Sequence, residues 1–169
     1  MNGFTPESRK RAEAYLAGER QIVGELGWGT DGCVYSLKPY SVLKVFVSER
    51  LFLNELRVYQ RLADHGVSKV GGCAVPQFRG QDSSLWVLEM SYVSPPCVID
   101  FGKARLDDPG DFPPEVWQHW REEKYENFGA RAAWAFRVYH ELIDKFGVYH
   151  DDINHGNYML DTGQDAKDD

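Results

Sequence analysis

Cysteine is scarce in this sequence of 169 residues, and long apolar runs are missing. The three cysteines, Cys33, Cys73 and Cys97, are odd in number and widely spaced, which predicts neither a disulfide framework nor a metal site. No run reaches about 18 apolar residues, so we expect no segment to span a membrane. The first residues lack the apolar stretch of a secretory signal. These absences predict a reducing, cytoplasmic location.

Positive charge is also in short supply. The chain has 19 Lys and Arg against 26 Asp and Glu, which gives a net charge of −7. Nucleic-acid-binding proteins more often carry a basic surface, so no nucleic acid is expected as a partner. The hydrophobic content of 43% is typical of a folded globular protein. The length suits one compact domain or two small lobes that share a cleft.

Strand and helix patterns follow one another in an order that predicts an α+β fold. A first helix is expected over 5–17, because Thr5 can cap it and Pro6 fits its first turn. A second helix is expected over 48–64. Five extended segments surround this second helix and predict an antiparallel sheet. They cover 21–26, 33–38, 41–47, 74–79 and 85–93.

The composition changes after Tyr92, where Ser94-Pro95-Pro96 ends the strand pattern. Two helices are expected beyond it, over 113–128 and 130–146. We therefore divide the chain into a first lobe (1–93), an abbreviated helical lobe (94–160) and an acidic tail (161–169).

A glycine-rich loop joins the first two predicted strands and contains Gly27, Gly29 and Gly32. Glycines allow backbone N–H groups to approach phosphate oxygens closely. An ordinary hairpin loop is an equally good interpretation of the glycines alone. A strand follows the loop where dinucleotide-binding folds have a helix, which favours a hairpin that covers a nucleotide.

Lys44 and Glu55 are two charged residues in apolar surroundings. Lys44 alternates with Val42 and Phe46 on one face of its strand, and Glu55 lies on the apolar stripe of the following helix. A carboxylate on such a stripe needs a cation, and Lys44 is the nearest candidate in sequence. The alternatives are that Lys44 extends to solvent at a sheet edge and that the helix leaves Glu55 exposed.

The loop 150–157 contains Asp152 and Asn157, five positions apart. Such a loop can present a carboxylate to a substrate hydroxyl and an amide oxygen to a metal ion. A solvated turn with two acids is the alternative interpretation.

Taken in order, these features resemble the protein-kinase-like superfamily over about residues 21–160. The resemblance implies that Asp152 is the catalytic base, that Lys44 contacts the ATP phosphates and pairs with Glu55, and that Asn157 binds Mg²⁺. It also implies a nucleotide-binding set: Gly27, Gly29, Gly32, Val34 and Lys44, with Glu89, Ser91 and Val93 in the hinge segment.

The sequence departs from the family pattern at two places. Asn154 stands where Ser/Thr kinases carry a lysine, which is closer to small-molecule and atypical kinases. The metal-binding D-F-G is expected some twenty residues after the loop, but the sequence reaches only Asp169.

An Asp100-Phe101-Gly102 does occur about fifty residues before that loop. The interpretation we prefer from sequence is an unrelated strand and turn, with Asp100 near the ribose side of the cleft. One alternative is a rearranged lobe in which Asp100 supplies the missing metal ligand. The other is that an acid of the tail supplies it: Asp161, Asp165 or Asp168.

The sequence therefore predicts a kinase-like phosphotransferase that uses ATP and Mg²⁺ and transfers the γ-phosphoryl group to a hydroxyl of a protein or small molecule. The alternative is a catalytically impaired pseudokinase that acts as a nucleotide-binding or protein-interaction module. The abbreviated lobe also predicts a homodimer contact or a protein partner over exposed apolar area.

Overall fold

The computed structural model describes residues 5–94, 98–156 and 158–159, and they form two units. The first unit contains residues up to 63 together with 76–92, and the second contains 64–75 and the chain from 93. The division expected from sequence differs at 64–75, which cluster with the second unit. The predicted acidic tail, 161–169, lies outside the described residues.

The first unit is built on a five-stranded antiparallel sheet. Its strands are β1 (Ile22–Trp28), β2 (Gly32–Leu37), β3 (Ser41–Phe46), β6 (Phe78–Asp82) and β7 (Val87–Ser91), in the order β1-β2-β3-β7-β6. The helices are α1 (Pro6–Leu16) and α2 (Glu49–Asp64). The α+β class and the five-stranded antiparallel sheet predicted from sequence are confirmed.

Strand alternation gives this sheet two different faces. On one face, Ala12 and Leu16 of α1 bury an apolar cluster that includes Tyr35, Leu43 and Val45. On the other face, α2 approaches β3, where the rings of Phe52 and Phe46 meet edge to face with centroids 5.8 Å apart. We call these the α1 face and the α2 face. Residues directly opposite each other on neighbouring strands share a face, so the register assigns every strand residue to one of them.

The second unit combines short strands with two helices. The strands are β4 (Lys69–Val70), β5 (Cys73–Ala74), β8 (Val98–Ile99), β9 (Arg105–Leu106), β10 (Val148–Tyr149) and β11 (Tyr158–Met159). The helices are α3 (Pro114–Phe128) and α4 (Ala132–Phe146), joined by a short 3-10 turn. An edge-to-face contact of Trp120 on α3 with Phe136 on α4 joins these helices.

Two local expectations are wrong. The sequence predicts that the fourth strand of the large sheet ends at residue 79, but β6 continues through Asp82. The Asp82 carboxylate accepts hydrogen bonds from the backbone N–H groups of Ser84 and Leu85. These bonds form the turn that follows β6. Cys73 is in a disulfide bond, whereas Cys33 is a buried thiol. The absence of disulfides therefore no longer supports the predicted cytoplasmic location.

Across the described segments, no helix has both the length and the apolar character needed to cross a bilayer.

Candidate active site

Lys44 and Glu55 form a buried ion pair in the first unit. Lys44 Nζ lies 2.6 Å from Glu55 Oε2, and the two side chains are only 9% and 3% exposed. The Lys44 ammonium also lies 5.1 Å from the centroid of the Phe46 ring. Removing two charges from water is costly, and a close pair with good geometry offsets that cost. The contact fixes the ammonium on the α2 face. It does not fit the alternative interpretations, in which Lys44 extends to solvent or Glu55 is exposed.

The glycine loop lies beside Lys44 on the α2 face. The register pairs Gly27 with Val34, and Val34 with Lys44. A β-carbon added at Gly27 or Gly29 would meet no atom of the described chain within 4 Å, so these two glycines face open space. At Gly32, a β-carbon would fall 2.1 Å from the carbonyl oxygen of Val45. The fold itself therefore requires glycine at position 32 but not at 27 or 29.

An apolar cleft of about 520 Å³ lies in the same unit. Leu26 precedes the first glycine of the loop, Ser36 shares its face with Val34, and Tyr92 follows β7. The full lining comprises Val23, Leu26, Ser36, Leu37, Lys38, Pro39, Tyr40, Ser41 and Tyr92. Mostly apolar walls with a few polar groups are typical of small-molecule binding sites. Tyr92 lies within the hinge segment predicted from sequence. Sequence reasoning passed over Leu26 as a binding residue, although its position beside the glycine loop could have indicated it.

Glu89 has a different surrounding from the other predicted nucleotide-binding residues. It lies opposite Leu43 on the α1 face, where Arg20 Nη2 donates a hydrogen bond of 2.8 Å to its carboxylate. Ser41 and Tyr15 donate at 2.8 and 3.1 Å. Burial alone would raise the pKa of Glu89, but the bonds from Arg20 and Ser41 outweigh it and hold the pKa below its usual value. The carboxylate is thus bound within the protein, and only the backbone of Glu89 remains for the predicted role.

The other two residues of the predicted hinge offer less. The Ser91 hydroxyl accepts a hydrogen bond of 2.8 Å from the Gln77 N–H. Val93 lies beyond β7 and is half-buried. The apolar cleft reaches this segment through Tyr92 instead.

Asp152 lies in a loop that the second unit holds from several sides. Its carboxylate is 36% exposed, and Lys103 Nζ lies 2.9 Å from Oδ2. Asn154 donates to the backbone oxygen and to Oδ1 of Asp152, at 3.1 and 3.2 Å. Asn157 lies outside the described residues, so its predicted role as a metal ligand stays a prediction.

The residue before it, Asp151, anchors the loop to the helices and to β9. It forms an ion pair with Arg105, and the Tyr139 hydroxyl donates a hydrogen bond of 3.1 Å to its carboxylate. The Trp120 indole donates to its backbone oxygen at 2.8 Å. Burial raises the pKa of Asp151, although the charge of Arg105 opposes the shift. Sequence reasoning had assigned no role to this residue.

Asp100-Phe101-Gly102 lies against this loop, although it comes about fifty residues earlier in the chain. On one side of the motif, β8 pairs with β11 through Ile99 and Tyr158; on the other, β9 pairs with β10 through Arg105 and Tyr149. β10 leads into the loop and β11 follows it. The three residues are therefore held by the same two strands that flank Asp152.

His150 is the point of contact between the motif and the loop. It is completely buried, and its ring centroid lies 5.9 Å from that of Phe101 and 5.4 Å from that of Tyr158. Burial lowers the pKa of His150 to about 4, while the negative charges of Asp100 and Asp152 act in the opposite direction. Both carboxylates are thus close enough to act on the same ring.

Oxygen donors at this place suit Mg²⁺, which binds through one or two carboxylates and keeps several waters. One oxygen of Asp100 accepts a hydrogen bond of 3.0 Å from the Gly102 N–H, which orients the carboxylate. Among the described residues no group of three or more His, Cys, Asp or Glu side chains could hold a metal ion. A site for a metal that needs several protein ligands is therefore not found there.

No protein-family model and no curated protein sequence matches this chain. Its fold is similar to solved structures of APH(2")-IIa. The ternary complex with streptomycin and ATP is 13% identical with a TM-score of 0.41, over 79% of this chain and 39% of that one. The gentamicin complex is 14% identical with a TM-score of 0.43, over 83% of this chain and 41% of that one. The chain thus spans about two fifths of the length of these structures.

Proposed function

We propose that this protein transfers the γ-phosphoryl group of ATP to a hydroxyl acceptor, with Mg²⁺. The observation that carries the proposal is the buried Lys44–Glu55 pair, which holds an ammonium beside the glycine loop on one face of the sheet. An ammonium held in this way is suited to bind phosphate oxygens, and Gly27 and Gly29 leave room for them. The apolar cleft lined by Leu26 and Tyr92 supports binding of the adenine.

Asp152 and Asp100 carry the transfer in this proposal. Asp152, with its exposed carboxylate, accepts the proton of the acceptor hydroxyl and orients the oxygen for attack. Asp100, with Asn157 as predicted from sequence, would hold Mg²⁺, which neutralises phosphate charge when bound. The contacts of the Asp100 segment with the loop favour the rearranged-lobe interpretation over that of an unrelated turn.

Asp151 and His150 position the loop in this proposal. Asp151 ties it to Arg105 and Tyr139, and the neutral His150 ring fills the space between Phe101 and Tyr158. Phosphoryl transfer depends chiefly on positioning and on stabilisation of charge, so a rigid loop is part of the mechanism.

The test is ADP formation by the purified full chain, with Mg²⁺, ATP and a panel of hydroxyl acceptors. The panel contains amino sugars, gentamicin and streptomycin among them, and serine-containing proteins. Asp152→Asn is expected to lower the rate ~10²–10⁴-fold, while ATP affinity measured by calorimetry stays unchanged. Asp144→Asn, at an exposed position on α4, is the matched control and should leave both unchanged.

Equal rates for the wild type and Asp152→Asn would contradict the proposal. Nucleotide-dependent stabilisation with no turnover on any acceptor would favour the pseudokinase alternative instead. No stabilisation by ATP or ADP would contradict both.

A further inference from the structure

Lys103 follows Asp100-Phe101-Gly102 directly, and its side chain reaches the carboxylate that we assign as the base. Lys103 Nζ lies 2.9 Å from Asp152 Oδ2, although 49 positions separate the two residues in sequence. The Lys103 side chain is 53% exposed, so a ligand can approach it from solvent.

The fold, and not the ion pair, sets the direction of this side chain. Lys103 has a φ of +64°, in the left-handed region that lysine rarely adopts. The Ala104 N–H donates a hydrogen bond of 3.0 Å to the Phe101 oxygen and closes the turn around Lys103. The completely buried Phe101 anchors one side of this turn, and β9 begins on the other. An ion pair this exposed contributes too little energy to impose an unfavourable backbone conformation.

The charges around Asp152 indicate what a cation can do at this position. The loop from His150 to Gly156 contains Asp151 and Asp152 but no lysine or arginine, and Arg105 is bound to Asp151. Phosphoryl transfer places further negative charge beside the base while the bond to the leaving group breaks. A cation between these charges stabilises the transition state more than the ground state.

We propose that Lys103 is a catalytic residue that binds the transferring γ-phosphoryl group while it stays beside Asp152; this inference rests on the function proposed above. The acceptor oxygen forms a bond to the γ-phosphorus, and the bond to the β,γ-bridging oxygen breaks. Its electron pair remains on ADP, and the hydroxyl proton goes to Asp152. Lys103 stays protonated throughout.

The experiment compares Lys103→Asn and Lys103→Arg with the wild-type full chain. Asparagine tolerates a positive φ and removes the charge, so the turn is retained. Lys103→Asn is expected to lower kcat about 10²-fold and to weaken ATP binding about tenfold. ADP lacks the γ-phosphate, so its affinity and the unfolding midpoint are expected to stay unchanged. Lys103→Arg should retain part of kcat.

Lys145→Asn is the matched control, since Lys145 also forms an exposed ion pair of 2.8 Å, with Glu141 on α4. It should change neither rate nor nucleotide affinity.

The possible results separate the inference from the function it rests on. A wild type that transfers phosphate, with a Lys103→Asn variant of equal kcat, would overturn the inference and leave the function standing. If the wild type binds ATP without turnover, the affinities of Lys103→Asn for ATP and ADP decide the question. Equal losses of affinity for both nucleotides would overturn the inference, whereas a loss for ATP alone would support it. A wild type that binds neither nucleotide would overturn both.

Discussion

The two units hold their charged residues in contrasting ways. In the first, Lys44 and Glu55 are almost completely buried and lie 11 positions apart on consecutive elements. In the second, Asp152 and Lys103 are 36% and 53% exposed, and 49 positions separate them. A buried pair is held in one geometry by its surroundings, whereas an exposed pair can exchange its partners for a ligand. The first arrangement suits the binding of a nucleotide, and the second suits groups that act in the reaction.

The largest effect on stability is expected when the buried ion pair is broken. Glu55→Leu leaves the Lys44 ammonium buried without its carboxylate and should destabilise the protein by about 3–5 kcal/mol. The double variant Lys44→Met/Glu55→Leu removes both charges and should recover most of this loss. Urea unfolding measures both variants.

The exposed pair supplies the control for that prediction. Lys103→Asn should change the free energy of unfolding by less than about 1 kcal/mol. If Glu55→Leu and Lys103→Asn lowered the free energy of unfolding equally, the distinction between the two units would be lost.

A pH-dependent effect is expected next, in the second unit. Burial lowers the pKa of His150 to about 4 from 6.5, so the unfolded chain binds the proton more readily than the folded one. Stability is therefore full above pH 6.5 and falls as the pH drops from 6.5 towards 4, by about 3 kcal/mol in total.

Hydrogen exchange as a function of pH checks this expectation in separate segments. Protection of β10 and α4 should fall in this range. The pKa of Glu89 is lowered, so its contribution to the stability of the first unit should persist until the pH falls below the usual pKa of a glutamate. His150→Leu should make the protection of β10 and α4 nearly independent of pH in this range. An unchanged pH dependence in this variant would contradict the assignment of the effect to His150.

The smallest effects separate glycines that the fold requires from those that a ligand requires. Gly32→Ala forces a β-carbon against the Val45 carbonyl and should cost about 1–3 kcal/mol of stability. Gly27→Ala and Gly29→Ala should leave the unfolding midpoint unchanged but weaken ATP binding. Thermal unfolding and calorimetry distinguish the two classes, and unchanged ATP affinity in both alanine variants would argue against a phosphate-binding loop.

Local sequence patterns predict most of the first unit. The Thr5 side chain accepts the Ser8 N–H at the start of α1, and Pro6 occupies its first turn, as the residue types indicate. Lys44 and Glu55 could be paired because each lies on an apolar face that needs a counter-charge. Glu89 was placed with the nucleotide site, although alternation with Leu88 and Met90 puts it on the opposite face.

The second unit depends on contacts between distant segments, which local patterns do not encode. The pairing of β8 with β11 and of β9 with β10 brings residues about fifty positions apart together. For this reason a metal-binding role for Asp100 was only one of several interpretations of the sequence, and no role was assigned to Lys103. The positive φ of Lys103 likewise has no signature in its residue type.

In the proposed function, Asp100 serves the same phosphoryl-transfer site as Asp152, although Asp100 precedes Asp152 in the chain. The most direct measurement is the affinity for ATP with and without Mg²⁺, in the wild type and in Asp100→Ala. Mg²⁺ is expected to strengthen ATP binding in the wild type and to have little effect in the variant, while the affinity for ATP without Mg²⁺ is expected to be equal in both. The same response to Mg²⁺ in the two proteins would contradict it.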